Sequence, residues 1–204
     1  SGFENIDLSD AVFFPLGLKS FIANRTVNGH HLVAPLRSPK SEKIENFFFR
    51  KLNFKGKFID PAEKARLLPG VGGLSTDDNL PLGFGLPHLA PDAGIVVLCE
   101  GFVDTLCMEA MLEEYLHITV IGSPSAKFLP KWSQWLANNS KATLCVVCHL
   151  DEETSQGRGI GQTSALKALQ VYRNSGKEAH LFSWINCCLQ LRRLGMTTAF
   201  SNIR

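Results

Sequence analysis

Ile95-Val96-Val97-Leu98-Cys99-Glu100-Gly101-Phe102-Val103-Asp104 is the stretch from which the rest of the chain can be ordered. Its first five residues are apolar with no polar alternation, and they are too few for a helix. Such a run predicts a strand buried on both faces, as in a parallel sheet. Gly101 allows a sharp turn out of the strand. From Phe102 to Tyr115 the spacing becomes helical, with Phe102 and Leu106 expected on an apolar side and Glu109 and Glu113 on an acidic one. Glu100 therefore closes the strand, and Asp104 follows one helical turn later, near enough to share a cation with it.

The same alternation continues downstream. His117–Ile121 reads as a strand ended by Gly122, and Pro130–Asn138 as a helix with proline in its first turn. Thr143–Cys148 is a third strand, Gln162–Asn174 a helix, Glu178–Phe182 a fourth strand and Asn186–Leu194 a last helix before Gly195. Strand and helix alternating four times predict an α/β domain, a parallel sheet with helices on its faces. In such sheets functional groups gather at the carboxyl ends of strands. The third strand, like the first, runs into acids there: Asp151-Glu152-Glu153. In extended backbone Asp151 and Glu153 point the same way. Four converging carboxylates, Glu100, Asp104, Asp151 and Glu153, would repel one another unless cations lay between them. An oxygen-only donor set selects Mg²⁺ or Mn²⁺ over zinc.

Upstream the pattern changes. His31–Leu36, Asn46–Leu52 and Gly56–Asp60 are short β-like runs broken by Pro, Gly and charged residues, as in a small mixed α/β lobe. Leu67–Gly85, rich in Gly, Pro and Leu without a period, reads as a connector packed on the surface. We expect two domains, 1–90 and 91–204. Between His31 and Arg66 nine Lys or Arg face four acids, a local excess that suits a polyanion partner. The whole chain, 45% hydrophobic and 20% charged, has the composition of an ordinary globular protein. It contains no apolar run of the ~18 residues that would cross a bilayer, so no membrane partner is expected. Ser1–Asn5 lacks the basic-then-apolar order of a secretory signal. A start at Ser1-Gly2 without an initiator Met leads us to expect further domains beyond this chain. Six cysteines raise the question of disulfides or zinc. Cys145 and Cys148 have CxxC spacing, but in a strand those positions face opposite ways, and no second pair completes a zinc set. Free thiols imply a reducing, cytoplasmic setting.

Ile95–Asp104 resembles the first motif of the Toprim domain, a hydrophobic strand followed by Glu-Gly-aromatic-x-Asp, and Cys145–Glu153 resembles the second, a strand ending in Asp-x-Asp. Three upstream segments, Leu32–Arg37, Phe47–Leu52 and Gly56–Asp60, are similar in order to the basic lobe that precedes Toprim in bacterial-type (DnaG-like) DNA primases. Leu82-Gly83-Phe84-Gly85-Leu86 matches the Leu-x-Gly-Leu segment before the Glu motif. The resemblance spans roughly Gly29 to Phe182. It implies metal-dependent synthesis of short RNA primers from NTPs on a single-stranded DNA template, with a replicative helicase as a further partner. It also implies that Glu100, Asp104, Asp151 and Glu153 are the catalytic metal ligands, and that Arg37, Arg50, Lys51 and Lys57 grip nucleic acid.

The sequence departs from the family in three places. Glu153 stands where Asp is usual, Gly157-Arg158-Gly159-Ile160-Gly161 lies in a loop longer than the family's, and Ser183–Cys188 carries no late acidic segment. Such divergence suits a phage, plasmid or other mobile-element protein. A Toprim nuclease would use the same acids for hydrolysis, and a non-catalytic nucleic-acid-binding module would retain the fold with a decayed site. Elsewhere, Trp132 and Trp135 are read as helix packing residues rather than base-stacking ones, and His149 as a strand-end packing residue.

Overall fold

The computed structural model describes residues 32–40, 44–50, 65–67, 80–85, 94–112, 115, 117–148 and 159–183. The chain forms two compact units, one of Ser1–Leu36 with Ile44–Gly73 and one of Arg37–Lys43 with Leu74–Arg204. Among the described residues no helix is long and apolar enough to cross a membrane.

A three-stranded sheet runs in the order β1 (Leu32–Arg37), β2 (Ile44–Arg50), β3 (Ala65–Leu67), with β2 and β3 antiparallel, and belongs to the first unit except for Arg37, the last residue of β1. Ala34, Leu36, Phe47, Phe48 and Phe49 are buried, so the Phe run serves as core. The strand expected over Gly56–Asp60 lies outside the described residues.

The second unit is an α/β layer structure. Its strands are β4 (Ile95–Cys99), β5 (Ile118–Gly122), β6 (Thr143–Cys148) and β7 (Ala179–Ser183). They form one parallel sheet in the order β5-β4-β6-β7. The helices α1 (Phe102–Leu112), α2 (Leu129–Asn139) and α3 (Ile160–Asn174) make the crossovers. A 3-10 turn at Ala126–Phe128 leads into α2. From β4 the chain steps to β5 on one side, then returns past β4 to β6 and β7 on the other. Right-handed crossovers then require α1 on one face and α2 with α3 on the opposite face. The two cores agree with this. Trp132, Leu136, Ala165, Ala168 and Tyr172 pack on Val96, Leu98, Leu144, Val146 and Cys148, while Met108 and Leu112 pack with Val97, Cys99, Val120, Cys145 and Val147. Cys145 and Cys148 thus belong to opposite faces, as their spacing predicts. The helix expected over Asn186–Leu194 and His149, read from sequence as a strand-end packing residue, lie outside the described residues.

Two expectations fail here. The segment at 80–85 is not a surface connector: Leu82 is 2% and Phe84 3% exposed. Phe84 exchanges two backbone hydrogen bonds with Gly122 (2.9 and 3.1 Å) at the free edge of β5. In α1 the buried stripe is Thr105, Met108 and Leu112, whereas Leu106 is 42% and Val103 41% exposed.

Candidate active site

β4 and β6 are the inner strands, and the chain order reverses between them. The carboxyl ends of strands at such a switch point are where open α/β sheets place ligands. Both strands leave the sheet at the same end, with Cys99 opposite Val147. Glu100 follows β4 directly, whereas Asp151 and Glu153, three and five residues beyond the end of β6 in the sequence, lie outside the described residues.

The turn from β4 into α1 is built around Gly101, whose φ of +155° favours glycine. Its carbonyl accepts two hydrogen bonds from Thr105, one from the backbone N–H (3.0 Å) and one from Oγ1 (2.6 Å). The helix therefore starts without slack. Glu100 and Asp104 are both half-buried, and the Oε2 of Glu100 is shielded from solvent. A Cβ added to Gly101 would lie 3.5 Å from Asp104 Oδ2, so that carboxylate overhangs the turn that begins at Glu100. Asp104 also stands in the first turn of α1, where the helix dipole favours a negative charge.

Neighbouring residues hold this turn in place. Gly122 ends β5 where any Cβ would overlap Thr105 Oγ1 and the Phe84 ring. Phe84 packs against Phe102, the aromatic of the Glu-Gly-Phe turn, with ring centroids 5.2 Å apart. Gly83 and Gly85 flank Phe84 for a physical reason. A Cβ on Gly83 would strike Trp132, and Gly85 has a φ of +78° and lies against the Val120 carbonyl. Beyond β5, the Ser123 N–H donates to the Cys99 carbonyl (2.8 Å), tying the β5 exit to the last residue of β4. Thr105, Gly122 and Ser123 are thus support residues that sequence reading missed. The hint for Thr105 was a hydroxyl four residues past Gly101, a spacing at which it can bond back to the i−4 carbonyl.

Of the eight residues singled out from sequence, the structure brings Glu100 and Asp104 to one turn. Arg37 is half-buried, and its backbone exchanges hydrogen bonds with Gly83 (2.9 and 3.0 Å) inside the second unit. Arg50 ends β2 opposite Ala65. Asp151, Glu153, Lys51 and Lys57 lie outside the described residues. Among the described residues no group of three or more His, Cys, Asp or Glu side chains is placed to hold a metal. The described share of the site is the Glu100–Asp104 pair. Two half-buried carboxylates on a rigid turn offer oxygen donors of the kind that hard divalent cations take. Trp132 is fully buried and Trp135 packs on the same core, so both serve the helix interface as expected.

No protein-family model matches the sequence, and no curated protein does. Among solved structures, one similar chain belongs to bacteriophage T7 lagging-strand DNA polymerase interacting with the primase domains of two gp4 subunits, bound to an RNA/DNA hybrid and dTTP. That match has a TM-score of 0.49 at 17% identity and covers 73% of this chain and 63% of the other. Another is the RNA polymerase domain of Mycobacterium tuberculosis primase DnaG in complex with double-stranded DNA. Its TM-score is 0.44 at 19% identity, covering 74% of this chain and 44% of that one. The present chain spans less than two thirds of either.

Proposed function

We propose that the second unit is a Toprim-type domain and that the chain is the core of a DNA primase, joining ribonucleotides into short primers on single-stranded DNA. The observation that carries this reading is the Glu100-Gly101-Phe102-Val103-Asp104 turn. It sits at the carboxyl end of an inner strand, at the switch point of a parallel sheet. Asp151 and Glu153 would complete the donor set from the neighbouring strand. Bound Mg²⁺ or Mn²⁺ would supply positive charge to the transferring phosphoryl group. The chain's own residues act by position. Thr105 and Gly122 fix the turn so that Glu100 and Asp104 are already in place before nucleotide arrives. Glu100 is the group that would take up the proton of the attacking 3′-hydroxyl. Arg37, Arg50, Lys51 and Lys57 would hold template or primer phosphates, and a replicative helicase is a further expected partner.

The test is primer synthesis by the purified protein on single-stranded DNA, with NTPs and Mg²⁺ or Mn²⁺. Glu100→Gln should lower it at least 100-fold while thermal unfolding remains cooperative. Degradation of the DNA in place of primer synthesis would assign the same acids to a nuclease. Neither reaction, with metal binding also absent, would leave a nucleic-acid-binding module.

A further inference from the structure

Glu100-Gly101-Phe102-Val103-Asp104 sets two carboxylates on either side of one aromatic residue. Gly101 brings no side chain to the turn, and Val103 is 41% exposed, so neither packs it down. Phe102 is half-buried and meets Phe84, with the rings tilted by 48° and their centroids 5.2 Å apart. That separation lies in the range at which aromatic pairs attract beyond the area they bury.

Phe84 is a fixed seat for that ring, because its own backbone is clasped on both sides. Gly83 exchanges hydrogen bonds with Arg37, and Phe84 exchanges them with Gly122. Gly122 in turn is the register partner of Cys99, the residue before Glu100. Gly83 lies against the fully buried Trp132 of α2. At Gly85 the Val120 carbonyl and Glu109 of α1 close in, with Glu109 Oε1 2.8 Å from where a Cβ would stand. The Phe84 ring fills the space that Gly122 leaves open beside Thr105. The acidic turn is thus held from two sides. Thr105 holds the Gly101 carbonyl from the helix, and Phe84 holds the Phe102 ring from the edge of β5. The two holds differ in kind: losing the hydroxyl loosens the start of α1, whereas losing the ring unseats the residue midway between the acids.

We propose that Phe84 is a positioning residue for the acidic turn: by seating Phe102 it sets the spacing of Glu100 and Asp104, and with it the affinity for a divalent cation. The proposal rests on the reading of that turn as part of a metal-dependent nucleotidyl-transfer site. Ligand carboxylates must be placed to within about 0.5 Å, and side chains behind the ligands supply that accuracy. An unseated Phe102 would let the turn rotate about Gly101, which restricts it least. The glycines on either side of Phe84 then have a purpose beyond packing, since they bring a segment with few backbone pairings close enough to present its ring.

The experiment measures Mn²⁺ affinity of the full chain by isothermal titration calorimetry, beside the Tm of the metal-free protein. Phe84→Leu keeps apolar bulk but removes the ring face, and it should weaken Mn²⁺ binding by on the order of tenfold. Phe102→Leu should match it, and the double variant should be no weaker than either single one, because the contact is already lost. Phe102→Tyr keeps the ring and should bind Mn²⁺ as the wild type does. Leu136→Val, which thins the core on the other face of the sheet, should lower the Tm and leave the affinity unchanged. A lowered Tm with wild-type affinity in both Leu variants overturns the proposal, since the rings would then serve stability alone. So does a loss that multiplies to about a hundredfold in the double variant, which would show two independent effects. An equal loss in Leu136→Val also overturns it, by revealing a general loosening. Should Phe84→Leu fail to fold, the two Phe102 variants decide, and equal affinity of Phe102→Leu and Phe102→Tyr overturns the proposal. Absence of Mn²⁺ binding by the wild type overturns this proposal and the metal-dependent reading together.

Discussion

Gly122 shows how little room the acidic turn leaves. The residue has no side chain because Thr105 Oγ1 and the Phe84 ring occupy the space where one would project. Both are themselves buried, so neither can swing aside. Gly122→Ala should cost about 1–3 kcal/mol, the usual penalty for overfilling a packed site, and calorimetry will read it as a lowered Tm. Because Thr105 also fixes the Gly101 carbonyl, the same change should weaken metal binding beyond what the stability loss explains. A second residue-scale prediction concerns thiols. Cys145 is buried in the sheet, and burial first, then the negative charge of Glu178, pushes its pKa up to about 12. Tyr172 is raised too, by burial, and its hydroxyl donates to the Ala142 carbonyl at 2.6 Å. Both groups hold their protons more tightly in the folded state than in the unfolded chain. Their contribution to stability is therefore complete below the unfolded pKa and is lost as pH rises; for Cys145 the loss runs from about 9 to about 12. Alkaline titration should show a falling Tm across that window. At pH 8 a thiol reagent should label exposed Cys107 quickly and leave Cys145 unmodified until the protein unfolds.

At the scale of elements, the helix α1 is held to the sheet from its first turn. Thr105→Val keeps the volume but deletes the Oγ1 bond to Gly101, which should cost about 1 kcal/mol. Thr105→Ser should recover most of that loss, which separates the hydrogen bond from packing; chemical denaturation measures both. The elements also show what sequence could and could not reveal. Strands β4 and β6 were legible because both of their faces are buried, and continuous apolar runs such as Ile95–Cys99 have few other readings. Helices α2 and α3 were expected within two residues of their observed bounds, and the CxxC residues sorted to opposite faces by strand geometry alone. The orientation of α1 was not legible. Its outer surface carries Val103, Leu106, Cys107 and Ala110, as apolar as its inner stripe, so composition did not distinguish the two sides. Residues 80–85 were missed for a different reason. Phe84 joins β5 through one bridge, and a single pairing leaves no repeat for a sequence pattern to show. Its importance lies in two glycines whose neighbours, Trp132 and Val120, are distant in the chain.

At the scale of the whole molecule, charge is arranged by region more than by amount. A net charge of +2 hides nine basic residues against four acids in the span His31–Arg66, and acids clustered around Glu100 and Asp151. Acidic strand ends were readable as a pattern, since Glu-Gly-x-x-Asp after an apolar run has few structural uses. Their convergence is a sequence expectation: the sheet order makes β4 and β6 neighbours although β5 lies between them in sequence, and the acids beyond β6 lie outside the described residues. That adjacency yields the last prediction, which concerns the folded state rather than catalysis. Carboxylates drawn to one sheet end repel in the absence of metal, and this repulsion is present only when the chain is folded. Mn²⁺ or Mg²⁺, by binding the folded chain preferentially, should raise the Tm as its concentration passes the dissociation constant. Glu100→Gln removes one charge while conserving shape. It should therefore raise the Tm of the metal-free protein and shrink the metal-induced rise, two changes of opposite sign from a single substitution. A variant that simply damaged packing would lower the metal-free Tm instead. Scanning calorimetry of both proteins, with chelator and with millimolar metal, decides the matter. If Glu100→Gln left the metal-induced rise at its wild-type size, the cation would be bound elsewhere and the acidic turn would not be its site.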